Sequence, residues 1–110
     1  MSQFLAVFTG TPGAGAGLDQ ETIGKGMAAW GAWMQTHAAS LVFTGGPLGK
    51  TKEVSKSGTK DISNKMSGFV IVEAADHAAA ARMFEGHPQF TIFPGEGVEV
   101  MQVMPIPGQG

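Results

Sequence analysis

The chain has 110 residues, the size of one ordinary domain, with 43% hydrophobic residues, only 15% charged residues and a formal net charge of −2. No apolar run reaches the roughly 18 residues of a membrane span, no cysteine can form a disulfide, a thiol nucleophile or a thiolate metal ligand, and the slight negative charge argues against a nucleic-acid partner. Charge this sparse, against an average of about 25%, suggests extra surface buried in an oligomer, and "MSQFLAVFTG" lacks the basic residues of a signal peptide, so the cytoplasm is the expected location.

The first apolar run, "QFLAVFT" at 3–9, is rich in aromatic and branched residues and reads as a strand without clean alternation, as if both faces were covered. "GTPGAGAG" at 10–17 reads as a loop. Asp19 offers a helix N-cap, with Thr22 a weaker one. Ile23, Met27, Trp30, Met34 and His37 then recur at helical spacing, and Trp33 joins their face. Gly24, Gly26 and Gly31 each weaken that helix by roughly 1 kcal/mol relative to Ala, so packing must hold it, and they leave room for another backbone to approach.

"SLVFTGGPLG" at 40–49 gives a second strand and a turn, and "KTKEVSKSGTKDIS" reads as a polar hairpin turning near Ser57-Gly58. "GFVIVEA" at 68–74 is a third core strand. "DHAAAARMFE" is a helix capped by Asp76, and "GVEVMQVMPI" at 97–106 is the last strand, with Pro105 and Pro107 ending it. The order β-α-β-(hairpin)-β-α-β is the split βαβ, ferredoxin-like arrangement: an α+β fold with a four-stranded antiparallel sheet and two helices on one face. Phe69 and Ile71 share one face of their strand while Val70 and Val72 share the other, and Val98 and Val100 oppose Met101 and Val103. Two helices cover one apolar face, so the other calls for a second copy of the sheet and a homodimer through the open sheet face.

Several segments imitate nucleotide and metal motifs. "GGPLGKT" lacks the glycine a phosphate-binding loop needs, since Thr44 stands there, and no amphipathic helix follows. "GAGAG" places Leu18 where the dinucleotide fingerprint needs its third glycine. The three histidines show no metal-ligand spacing, so neither metal nor cofactor is expected. Five of the seven basic residues (Lys50, Lys52, Lys56, Lys60 and Lys65) fall in the hairpin region. That segment reads as a solvated hairpin, or else as a funnel for an anion.

"FTGGPLG", the polar hairpin, "MSGFVIVEAAD", the Ala-rich helix, "HPQF" and "GVEVMQVMPI", in this order and spacing over roughly residues 3–107, resemble the YCII-related family and its DGPF-type subgroup. The resemblance implies one domain over 1–110, a dimeric α/β-barrel of two ferredoxin-like protomers, and a small pocket in each between sheet and helices. Some family members have been suggested to be enzymes on account of a histidine-aspartate pair. Here "KDISNKMSGF" stands where the subgroup carries Asp-Gly-Pro-Phe, with Asp61 in the aspartate's place, and "LDQETIGKGM" has no histidine.

His87 precedes Pro88, which turns it out of α geometry, and the end of a helix favours an exposed, protonated imidazole able to meet an anion or act as a general acid. His37 ends the first helix beside Trp33. Asp76 explains itself as a cap, and His77 in the first turn is expected to be exposed. The methionines suit both core filling and an adaptable apolar pocket. The candidate ligand-binding residues are Trp30, Trp33, Met34, His37, His87 and Phe90, and His87 is the candidate catalyst. The ligand is expected to be a small organic molecule, acidic or aromatic. Three readings stand: a homodimeric small-molecule binder; an enzyme of isomerase, lyase or monooxygenase type using a histidine as general acid/base; and a protein-interaction or regulatory module.

Overall fold

The computed structural model describes residues 1–108, so the last two positions of the expected 1–110 unit lie outside it. Strand β1 (Ser2–Thr9) leads through the glycine-rich loop to helix α1 (Gln20–Thr36), a short 3-10 turn (Ala38–Ser40) and β2 (Leu41–Pro47). The hairpin β3 (Thr51–Ser55) and β4 (Gly58–Ile62) precedes β5 (Met66–Ala74), helix α2 (His77–Arg82), a one-turn helix α3 (Pro88–Thr91) and β6 (Gly97–Gln102). The four long strands form one antiparallel sheet in the order β2-β5-β1-β6, and β3 and β4 form a separate two-stranded sheet. This is the expected ferredoxin-like fold, with the helices on one face. Among the described residues no helix is long and apolar enough to cross a membrane.

The helix caps follow from side-chain chemistry. The Asp19 carboxylate accepts from the Thr22 N–H and that of Asp76 from the Ala79 N–H, both at 2.7 Å. Thr22 is therefore the residue capped, and α1 starts at Gln20. The Ala-rich helix ends at Arg82, and the turns after it bring the chain to α3, which the sequence did not announce. Pro88 is the first residue of α3, where its missing N–H costs nothing.

Pairing fixes which side chains meet the helices. β1 and β5 pair as Phe4↔Val72, Ala6↔Val70 and Phe8↔Gly68, so these residues share the covered face. Phe4, Ala6, Phe8, Val70, Val72, Ala74, Trp33, Ala80 and Phe84 form the buried core. Truncating a buried phenylalanine such as Phe8 to Ala costs on the order of 3–5 kcal/mol. The other face carries Leu5, Val7, Phe69, Ile71 and Met101, with Phe43 beside Phe69 at 5.8 Å between ring centroids. Among the described residues no helix covers it: the shortest dimension is 18 Å, enough for one sheet layer and one helix layer.

Strand β2 is irregular, because its register against β5 shifts on both sides of Phe43. Gly45 has φ of +60°, and a Cβ there would collide with the Phe69 carbonyl oxygen, so only glycine suits this bulge. Gly26 makes room for a side chain rather than for the backbone expected there: the ring of Phe93 lies where a Cβ would stand. Gly24 and Gly31 face open space.

The hairpin turns through Lys56-Ser57, and its charges pair across its strands as Lys52–Asp61 at 2.7 Å and Lys60–Glu53 at 3.5 Å. Lys65 meets Glu96, which also accepts from Thr11, and these contacts hold the Glu96 carboxyl below its usual range. Three of the five clustered lysines thus face a carboxylate.

Candidate functional site

A cavity of about 500 Å3 lies between α1 and the β2–β5 side of the sheet. Helix α1 contributes Met27, Trp30, Gly31 and Met34, which recur at 3, 4 and 7 residues from Met27 and so share one helical face. The sheet contributes Phe8, Ser67, Gly68 and Phe69. The bulged strand β2 brings Thr44, Gly46 and Pro47, and Gln89 and Phe93 close one end. The lining is aromatic and aliphatic with few polar groups, as in small-molecule sites, whose volumes run from about 300 to 1,000 Å3. Among its lining residues none is charged.

Behind Trp30 stands His87. Its imidazole is 1% exposed and sits among Trp30, Phe8, Trp33 and Phe84, with ring centroids at 4.4, 4.8, 4.8 and 5.9 Å. Nδ1 accepts the Gln89 backbone N–H at 3.0 Å, making His87 the N-cap of α3. An accepting Nδ1 leaves the proton of the neutral ring on Nε2, which has no hydrogen-bond partner among the described residues. Burial, and secondly the charge of His37, pushes the pKa down from 6.5 to about 4.

The exposed, protonated imidazole expected at a helix C-terminus is therefore corrected on both counts. Pro88 does hold His87 extended, with φ −60° and ψ 140°. But α2 has already ended at Arg82, and His87 opens the next helix instead of closing the last. A neutral Nδ1 acceptor suits that place, and a cation does not.

Gln89 links the imidazole to the cavity wall. Its side-chain Oε1 accepts the Trp30 indole N–H at 2.9 Å, and its carbonyl accepts from the Gly95 N–H at 3.0 Å. Trp33 donates its indole N–H to the Met83 carbonyl at 2.8 Å, and His37 packs on Trp33 at 5.0 Å. Of the six candidate binding residues, Trp30 and Met34 line the cavity. Trp33, His37 and His87 stack behind it, and Phe90 lies half-buried in α3. Sequence reading passed over the other lining residues, among them Phe8, Met27, Gly31, Gln89 and Phe93. The shared helical face of Met27, Trp30, Gly31 and Met34 was the signal for Gly31, whereas Gln89 carries none.

His77 is exposed as expected, and its Nε2 lies 2.7 Å from the Val100 carbonyl oxygen, tying α2 to β6. Among the described residues no group of three or more His, Asp or Glu is placed to hold a metal ion. A second, larger and more polar hollow of about 1050 Å3 lies between the loop at 10–15, residues 48–52 and the end of the hairpin, and Gln89, Phe93 and Ser67 border both cavities.

No protein-family model matches the chain, and no curated protein matches it. Among solved structures, the 5-chloro-2-hydroxyhydroquinone dehydrochlorinase of Burkholderia phenoliruptrix AC1100, in complex with 2,5-dihydroxybenzoquinone, is similar to it, with a TM-score of 0.60 and 21% identity over 93% of each chain. Likeness at that identity is one of fold: mixed α+β, an antiparallel sheet and helices on one face.

Proposed function

We propose that the protein binds a small, planar, largely apolar organic molecule in the cavity between α1 and the β2–β5 side of the sheet, and does so as a homodimer of the YCII-related type. The observation that carries this reading is an uncharged, largely aromatic cavity of about 500 Å3 whose few polar side chains are Thr44, Ser67 and Gln89, with Gln89 held at its end by Trp30. The similar dehydrochlorinase structure holds a single six-membered ring, which supports a ligand of that size. The bare apolar face with Phe43, Phe69 and Ile71 supports the dimer.

Histidine-driven acid-base chemistry is the weaker reading. His87 is neutral at physiological pH, enclosed by rings, and has no carboxylate partner among the described residues. His87 serves here as a cap and a wall support.

Gly31→Leu tests the binding reading. A Cβ at Gly31 meets nothing within 4 Å and Gly31 lines the cavity, so the variant is expected to fold and to take up cavity space. A thermal-shift screen with single-ring phenols and aryl ketones raises the melting temperature of the natural chain by several degrees at saturating ligand. The same compounds leave Gly31→Leu unmoved. Equal shifts in both proteins, or none in the natural chain, overturn the reading.

A further inference from the structure

We infer that Gln89 is the residue that reads the ligand, its carboxamide nitrogen donating to an uncharged carbonyl oxygen on an aromatic ring in the cavity. The inference rests on the binding reading above and names its ligand class: aryl ketones, aldehydes and quinone-type rings rather than carboxylates.

Orientation comes first. An indole N–H only donates, so the Gln89 atom 2.9 Å from Trp30 Nε1 is the oxygen, and the amide nitrogen is the unengaged end of a side chain that lines the cavity. The backbone on both sides of that side chain is pinned. The Gln89 N–H is held by His87 Nδ1, and the Gln89 carbonyl accepts from Gly95, where a Cβ would collide with that carbonyl. The carboxamide is thus held in place before any ligand arrives. Among the described residues no acceptor meets its two amide hydrogens.

Elimination gives the ligand chemistry. Ser67 already donates its hydroxyl to the Phe8 carbonyl at 3.1 Å, and Thr44 is exposed at the rim. His87 is screened from the cavity by Trp30 and is neutral. No lysine, arginine or accessible histidine lines the cavity, so a carboxylate entering it loses water and finds no counter-charge. A carbonyl oxygen needs one donor and no charge, which Gln89 supplies.

The test is a titration followed through the two indole N–H signals in 1H–15N correlation spectra near neutral pH. The probes are 4-hydroxyacetophenone, 4-ethylphenol and 4-hydroxybenzoate. The Trp33 indole, bound to Met83, is the internal control. The ketone binds about fivefold tighter than 4-ethylphenol, the size of one neutral hydrogen bond, and 4-hydroxybenzoate binds weakest. Gln89→Glu keeps an acceptor for Trp30 and removes the donor, and Gln89→Leu removes both. In either variant the ketone's advantage over 4-ethylphenol disappears. Equal affinity of ketone and ethylphenol for the natural chain, or an advantage that survives in both variants, overturns the role of Gln89 and leaves the cavity reading intact. If none of the three probes moves the Trp30 signal, the cavity reading falls and this inference with it.

Discussion

The indole of Trp30 stands edge-on to the imidazole of His87, with centroids 4.4 Å apart and planes at 82°. One face of this pair borders the cavity and the other is core, so the stability of the aromatic cage and the shape of the site depend on the same contact.

The cage makes the protein sensitive to acid. The folded pKa of His87, about 4, lies below the ordinary 6.5, so the unfolded chain takes up a proton before the folded chain does. The contribution of His87 to stability is therefore whole above about pH 6.5 and is lost as pH falls toward 4. Its ceiling is about 3 kcal/mol. Denaturant unfolding between these two pH values measures the decline. His87→Asn keeps an N-capping acceptor, loses packing and has no such titration. Its stability is lower by about 1–3 kcal/mol near neutrality, and it falls less steeply with acid. Parallel decline in the two proteins contradicts the burial of a neutral imidazole.

The helix glycines separate in the same way. Gly24 faces open space, so Gly24→Ala raises stability by up to about 1 kcal/mol. Gly26→Ala drives a methyl group into the Phe93 ring, lowers stability by about 1–3 kcal/mol and displaces one end of the cavity. Thermal unfolding of the two variants beside the natural chain checks both signs.

The open face of the sheet gives a prediction about assembly. Analytical ultracentrifugation at micromolar concentration finds twice the protomer mass for the natural chain. Ile71 sits centrally on that face, paired with Leu5 on one side and Phe43 on the other. Ile71→Glu places a charge there, and the variant sediments at the protomer mass with an unchanged circular dichroism spectrum. A natural chain that already sediments as a protomer refutes the dimer.

Most of the fold was legible because it rests on short-range chemistry. Asp19 and Asp76 cap the helices they precede, the alternation at Phe69–Val72 separates the two sheet faces, and the polar hairpin forms where expected, its turn at Lys56-Ser57 one residue before the expected Ser57-Gly58. The site was less legible because it depends on distant pairings. Pro88 foretold that His87 leaves the helix, but the burial of His87 depends on Phe8, Trp30 and Trp33, which lie far away in sequence. Gln89 reads as an ordinary polar residue after a proline until the fold brings Trp30, 59 positions earlier, to its oxygen. The bulge at Gly45 likewise answers to the Phe69 carbonyl on a neighbouring strand.

The most direct test of the central claim is the location of an aromatic probe on the protein. Chemical-shift mapping with 4-ethylphenol is predicted to perturb residues 27–34 of α1, the bulged strand at 44–47, residues 67–69 of β5, and Gln89 and Phe93. Perturbations confined to the hollow beside the hairpin or to the open sheet face, with the Trp30 indole unmoved, would contradict it.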